Sequence, residues 1–133
     1  MSYSLDTNVV VRLVIGTPED QYARARTLID RLEGIGQTAL VSDVVIAEAC
    51  HVLCTVYKVP RLEALEGLRD IFRDRAIRGE SAPSVLAHPE AAVGKPGFVD
   101  RLILKRARDH HTTLLTFDRT LGALPGTELL AGA

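Results

Sequence analysis

Tryptophan is absent from the 133 residues, and Tyr and Phe number only three each. The chain therefore lacks the broad aromatic platform on which single-strand binders stack bases. Long apolar runs are missing too: no uncharged stretch approaches the ~20 residues that a membrane-crossing helix needs. The opening, Met1-Ser2-Tyr3-Ser4-Leu5-Asp6, has no basic region followed by an apolar stretch, so no secretory leader is expected. Cysteine is limited to Cys50 and Cys54. Four apart on one helical pattern, they are poor disulfide partners, and a reduced, cytoplasmic setting is the expectation. A strong charge of either sign is also lacking. A net charge of −1 does not exclude nucleic acid, because binding depends on where Lys and Arg cluster and an acidic metal site masks basic residues in the sum.

What is present is the composition of a globular protein, with 47% apolar and 25% charged residues. The length fits one compact domain over 1–133 that can bury a core without disulfides or a structural metal. There is no internal repeat, low-complexity tract or dividing linker.

Tyr3 to Leu5 reads as a short strand, followed by a helix from near Thr7 that carries Val9, Val10, Leu13 and Val14. Pro18 suits the first turn of a second helix, with Glu19 and Asp20 complementing its positive end. That helix runs through Tyr22, Ala25, Leu28, Ile29 and Leu32 to Gly34 and Gly36. Thr38 to Val41 is a second strand, and Ser42 is a fitting N-cap for a helix from Asp43 to about Tyr57. Pro60 opens an amphipathic helix with Leu62, Leu65, Leu68 and Phe72 on one face. Ser84 to Leu86 is read as a third strand. After Gly94-Lys95-Pro96-Gly97, a helix from Phe98 to about Asp109 leads into a strand over Thr112 to Thr116. Helices alternating with short strands imply a three-layer α/β/α sandwich around a mostly parallel central sheet, with ligands gathered outside the carboxyl ends of its strands.

Four acids carry the chemistry. From Val44 to Tyr57, Glu48 is the only carboxylate, and its helical neighbours are Val44, Val45, His51 and Val52. A helix so apolar all round is expected to be buried, and a buried carboxylate needs a partner or a metal. A salt bridge to Arg12 or Arg101 is the alternative. Asp100 lies on an arc with Ile103, Leu104 and Ala107, although an Asp in a first turn is favoured by the helix dipole alone. Asp6 and Asp118 each follow a short apolar segment, so they stand at strand carboxyl ends, where helix capping is the ordinary use of Asp. Two strand-end carboxylates and two on inward helix faces supply the hard oxygen ligands of a Mg²⁺ or Mn²⁺ site, and their mutual repulsion calls for a cation. Asn8 and Thr116 add neutral oxygens beside them.

Two other chemistries compete. Cys50, His51 and Cys54 suggest zinc, with His110 and His111 as remote completing ligands, but small buried hydrophobes explain both cysteines. An aspartate-nucleophile phosphatase would use Asp6 but wants a second acid two residues later, where Asn8 stands. No Gly-rich phosphate loop is present.

Leu5-Asp6-Thr7-Asn8-Val9-Val10 resembles the opening of a PIN domain. Val41-Ser42-Asp43-Val44-Val45-Ile46-Ala47-Glu48 is similar to its second acidic motif. Phe98-Val99-Asp100-Arg101-Leu102-Ile103 and Leu114-Leu115-Thr116-Phe117-Asp118-Arg119 resemble the third and fourth. Order and size match over essentially the whole chain, and the compact form is most similar to VapC-type toxins of toxin–antitoxin pairs. The resemblance departs locally at His51 and Cys54, where an aromatic or aliphatic residue is usual. It implies a Mg²⁺- or Mn²⁺-dependent endoribonuclease, usually a homodimer, silenced by a cognate antitoxin. Asp6, Glu48, Asp100 and Asp118 would be the metal-binding catalytic acids, with Asn8 and Thr116 as supporting polar groups. Arg12, Lys95, Arg101 and Arg119, close to the motifs in sequence, are candidates for steering the RNA backbone. The remaining alternative is a non-catalytic PIN-like module that binds RNA or protein. The Leu stripe after Pro60 suits either core packing or a dimer or antitoxin contact.

Overall fold

Short strands give way at once to helices along most of the chain. In the computed structural model, which describes residues 3–130, the order opens with β1 (Tyr3–Ser4), α1 (Thr7–Ile15), α2 (Glu19–Gly34) and β2 (Ala39–Val41). It continues with α3 (Asp43–Thr55), α4 (Arg61–Ile71), β3 (Ile77–Gly79), α5 (Ala82–Leu86) and α6 (Pro89–Val93). Then come α7 (Phe98–Asp109), β4 (Leu114–Thr116), α8 (Arg119–Gly122) and β5 (Thr127–Leu129). Met1, Ser2 and residues 131–133 of the expected 1–133 domain lie outside the described residues. Among the described residues, no helix is long and apolar enough to cross a membrane.

The architecture is the expected α/β sandwich, and every strand pairing is parallel. β2 lies between β1 and β3, with Tyr3 opposite Ala39 and Leu40 opposite Arg78. β4 pairs with β5, Leu115 opposite Glu128. No strand pairing joins the two sheets among the described residues, so the central sheet is in two pieces.

Local chemistry explains where the helices begin. The Asp6 side chain accepts from the Val9 backbone N–H at 3.1 Å, Ser42 Oγ from that of Val45 at 3.3 Å, and Asp118 from those of Thr120 and Leu121. Each satisfies a donor that the first helical turn leaves unpaired. Gly16, at a φ of 74°, ends α1 in the left-handed conformation that a Cβ would oppose. The core gathers the inward residues of these helices: Val10 and Val11, Ile29 and Leu32, Ile46 and Leu53, Leu65 and Leu68, and Phe98. Each such Leu contributes roughly 2 kcal/mol by burial. The α4 stripe is therefore core at Leu65 and Leu68, with Leu62, 37% exposed, at its edge.

The third strand is not at Ser84–Leu86. Those residues belong to α5, whose first turn holds Pro83, a residue preset for a helix start. The strand is Ile77–Gly79, where Ile77 alone is buried and no alternation could show. The short α6 and β5 have no counterpart in the expected elements, and of α8 only its cap, Asp118, was expected.

Candidate functional site

β1, β2 and β3 point the same way, so Asp6, Asp43 and Glu80, which follow them, share the carboxyl edge of the sheet. Asp6 is exposed there. One of its oxygens caps α1, and the other has no hydrogen-bond partner among the described residues. Asp118 repeats this at the end of β4: its Oδ1 accepts from Thr120 at 2.8 Å and Leu121 at 3.1 Å, leaving Oδ2 available. Thr116 Oγ1 accepts from the Asp118 backbone N–H at 3.0 Å and so holds the turn that presents the acid.

Glu48 corrects an expectation. It is exposed rather than buried. The buried side of α3 carries Ile46, Ala49, Cys50 and Leu53, whereas Val44, Glu48, His51 and Thr55 form the solvent stripe. Glu48, His51 and Thr55, the polar residues of the helix beyond its first turn, all lie on that stripe, and the 74% exposed Val44 beside them is what lends the helix its apolar look on every side. The alternative of an ion pair is not realised either. Arg12 donates to Gln21 Oε1 at 2.7 Å and to the Tyr57 hydroxyl at 2.8 Å, and Arg101 Nε donates to the Pro96 carbonyl at 2.7 Å. Asp100 is half-buried in the first turn of α7, at the margin of a face where Leu104 is buried and Ile103 is exposed. Among the described residues neither Glu48 nor Asp100 has an ion-pair partner.

Among the described residues, no three of the four acids bring carboxylate oxygens within 4.8 Å of one another. Among the described residues, the one group of three or more ligating side chains with atoms within 4.8 Å of one another is Asp30, Glu33 and Asp74, from other elements. Two of those acids pair with Arg26. Asp6 ends a strand of one sheet piece and Asp118 a strand of the other. As a donor set the four still fit a hard divalent cation: each retains at least one carboxylate oxygen with no partner among the described residues. Asn8 and Arg12 line a cavity of about 400 Å³ between α1 and α2. Lys95 and Arg119 are exposed, Arg119 directly after Asp118.

The acid that is buried is Asp43, which the sequence marks only as the start of a helix. It is 2% exposed. Its oxygens accept from the Ser81 and Ala82 backbone N–H groups at 2.7–3.2 Å and from Arg106 Nη1 at 2.5 Å. Its own N–H donates to Glu80 at 2.8 Å. Next to it, Ser81 Oγ donates to Asp109 at 2.6 Å, and Lys105, then Ser81, hold the Asp109 carboxyl below its ordinary range. Asp43 thus ties together α3, which carries Glu48, the start of α5, and α7, which carries Asp100. A local signal existed in Asp43 following the N-cap at a strand end, but Arg106 lies 63 positions away.

Zinc at Cys50, His51 and Cys54 is not supported by their placement. Cys50 faces the core while His51 faces solvent, and both cysteines are free thiols. Burial, with a smaller contribution from Cys54, pushes the Cys50 thiol up to about 11. The thiolate is the reactive form, so iodoacetamide at pH 8 should leave Cys50 unmodified in the folded protein and label it fully in denaturant. Peptide mass spectrometry reads both states, and rapid native labelling would mean that the inner face of α3 opens readily.

The PIN domain family model matches residues 3–126 of the chain. A similar solved structure is the crystal structure of VapBC2 from Rickettsia felis bound to a DNA fragment from their promoter. It shares 22% identity and a TM-score of 0.39 over 97% of this chain and 97% of that one. No curated protein gives a significant match.

Proposed function

The chain belongs to the PIN domain family, and from that premise we propose that it is a metal-dependent endoribonuclease, the toxin of a type II toxin–antitoxin pair. The whole chain acts as one PIN-like domain, in the cytoplasm and as a homodimer. The observation that carries the reading is the ordered set Asp6, Glu48, Asp100 and Asp118, each with a carboxylate oxygen left without a partner among the described residues.

These four acids would hold Mg²⁺ or Mn²⁺. When bound, the metal supplies activation of water near neutral pH and neutralises charge on the phosphate under attack. The chain's own residues do the rest. Asp6 and Asp118 present their second oxygens from capped, fixed helix starts. Thr116 fixes the turn before Asp118, and Asn8 adds a neutral oxygen source next to Asp6. Lys95, Arg101 and Arg119 steer the RNA backbone. Arg12, held by Gln21 and Tyr57, serves as a more rigid cation beside Asn8. Resemblance to VapC-type toxins makes a cognate antitoxin the protein partner.

One observation favours a second reading, a non-catalytic RNA- or protein-binding module: among the described residues no three of the four acids bring carboxylate oxygens within 4.8 Å of one another. Incubating total cellular RNA with the purified chain in Mn²⁺, in Mg²⁺ and in EDTA separates the two. Discrete fragments that appear only with metal are expected. RNA binding indifferent to EDTA with no cleavage in either metal, antitoxin being absent, would leave the binding module as the function.

A further inference from the structure

We propose that the cavity between α5, α6, α7 and the turn before β5 is a phosphate-binding site for an RNA strand, held by Arg101, Lys105 and Arg108. The cavity measures about 530 Å³, and these three cations line it with His88 and Ser84 and no carboxylate. They are spaced i, i+4 and i+7 on α7, which places them along one stripe about 10 Å long. In a chain of net charge −1, a cavity walled by cations concentrates positive potential that the totals conceal.

The guanidiniums are placed without being neutralised. Arg101 Nε donates to the Pro96 carbonyl at 2.7 Å, and Arg108 Nη2 donates to the Pro125 carbonyl. A backbone carbonyl orients an arginine while leaving its charge and most of its five N–H donors for an anion. Lys105 is the one member paired with an acid, Asp109 at 2.8 Å. Gly126 adds an independent mark. A Cβ there would come within 2.8 Å of Arg108 Nε, so the glycine, at a φ of 88°, is what allows Arg108 to lie against this turn. Val85, Leu104 and Leu124 form apolar walls of the cavity.

The stripe begins at Arg101, next to Asp100, and leads away along α7. A strand at the acidic set would run on through the cavity, so its phosphates are held at a point separate from the bond being cut. The choice of RNA rests on the nuclease reading; the preference for phosphate rests on the cavity alone.

Fluorescence anisotropy of a labelled single-stranded RNA on the full chain, in EDTA, tests this without cleavage. The Lys105→Gln/Arg108→Gln double variant should bind about tenfold more weakly, with a log–log salt slope shallower by about 1.4, the share of two single-strand phosphate contacts. An equal charge change on α2, Arg24→Gln/Arg31→Gln, should leave affinity within twofold. Lys105→Gln alone, which spares the Arg108 contact to Pro125, should lose about threefold and flatten the slope by ~0.7, so the test survives if the double variant fails to fold. A wild type that does not bind, an unchanged slope in the double variant, or an equal loss in the α2 control would each overturn the site. Cavity-dependent binding by a chain that cuts nothing in Mn²⁺ would sink the nuclease reading and keep this one.

Discussion

Asp100→Asn should lower metal-dependent RNA cleavage by at least about 100-fold, more than a change in a metal's outer shell typically costs, while the melting temperature stays within a few degrees of wild type. Two observations separate the expected effects on activity and stability. Asp100 has no hydrogen-bond or ion-pair partner among the described residues, and it is only half-buried, so its structural worth is its charge in the first turn of α7, about 0.3–1 kcal/mol. Its worth to a cation is much larger, because the amide keeps the shape and removes the charge that a hard divalent ion needs. Asn is also the informative replacement at Asp6 and Asp118. Both cap helices through one oxygen, and Asn caps as well as Asp, so the change isolates the metal function. Alanine at either position would also remove a cap, a loss of about 1 kcal/mol. Calorimetry with Mn²⁺ should show weaker binding in all three Asn variants. If all three cleave like wild type, the acidic set is not the site.

What could be read from the sequence was what local chemistry encodes. The starts of α1, α3 and α8 are written in Asp6, Ser42 and Asp118, and the inner face of α2 in Ala25, Ile29 and Leu32, all buried. The four acids were singled out from their neighbours and from the order of their motifs. Their surroundings in the fold were not legible. Glu48 was expected inside because α3 is apolar on nearly every side, yet its few polar residues, Glu48, His51 and Thr55, together mark the outer face, which the exposed Val44 disguises. β3 escaped because three residues with one buried apolar position carry no alternation, and Ser84-Val85-Leu86 imitated a strand although Pro83 starts a helix there. That Asp6 and Asp118 end strands of separate sheets is a fact of topology, which no local pattern states.

The same limit hid the residue whose loss should damage the fold most. Asp43→Ala is expected to destabilise the protein by about 3 kcal/mol, in the range for breaking one side of a buried charged pair. The cost arises in the backbone. Ser81 and Ala82 are buried, and their N–H groups find their acceptor in Asp43 at 2.7–3.2 Å. Alanine leaves both donors without a partner away from water, at about 1–3 kcal/mol for each unsatisfied group. Arg106, 41% exposed, can turn to solvent, so Arg106→Gln should cost distinctly less than Asp43→Ala. Asp43→Asn should fall between them, since one of its two heteroatoms becomes a donor facing donors. For a chain of this length, 3 kcal/mol corresponds to a drop in melting temperature of about 10 °C. Thermal and urea denaturation of the three variants read the order directly, and an unchanged urea m-value would place the loss in the native state. A melting temperature for Asp43→Ala within about 2 °C of wild type would mean that the α5 start finds other acceptors. In that case Asp43 would not be what holds α3 and α7, and with them Glu48 and Asp100, in their relative places.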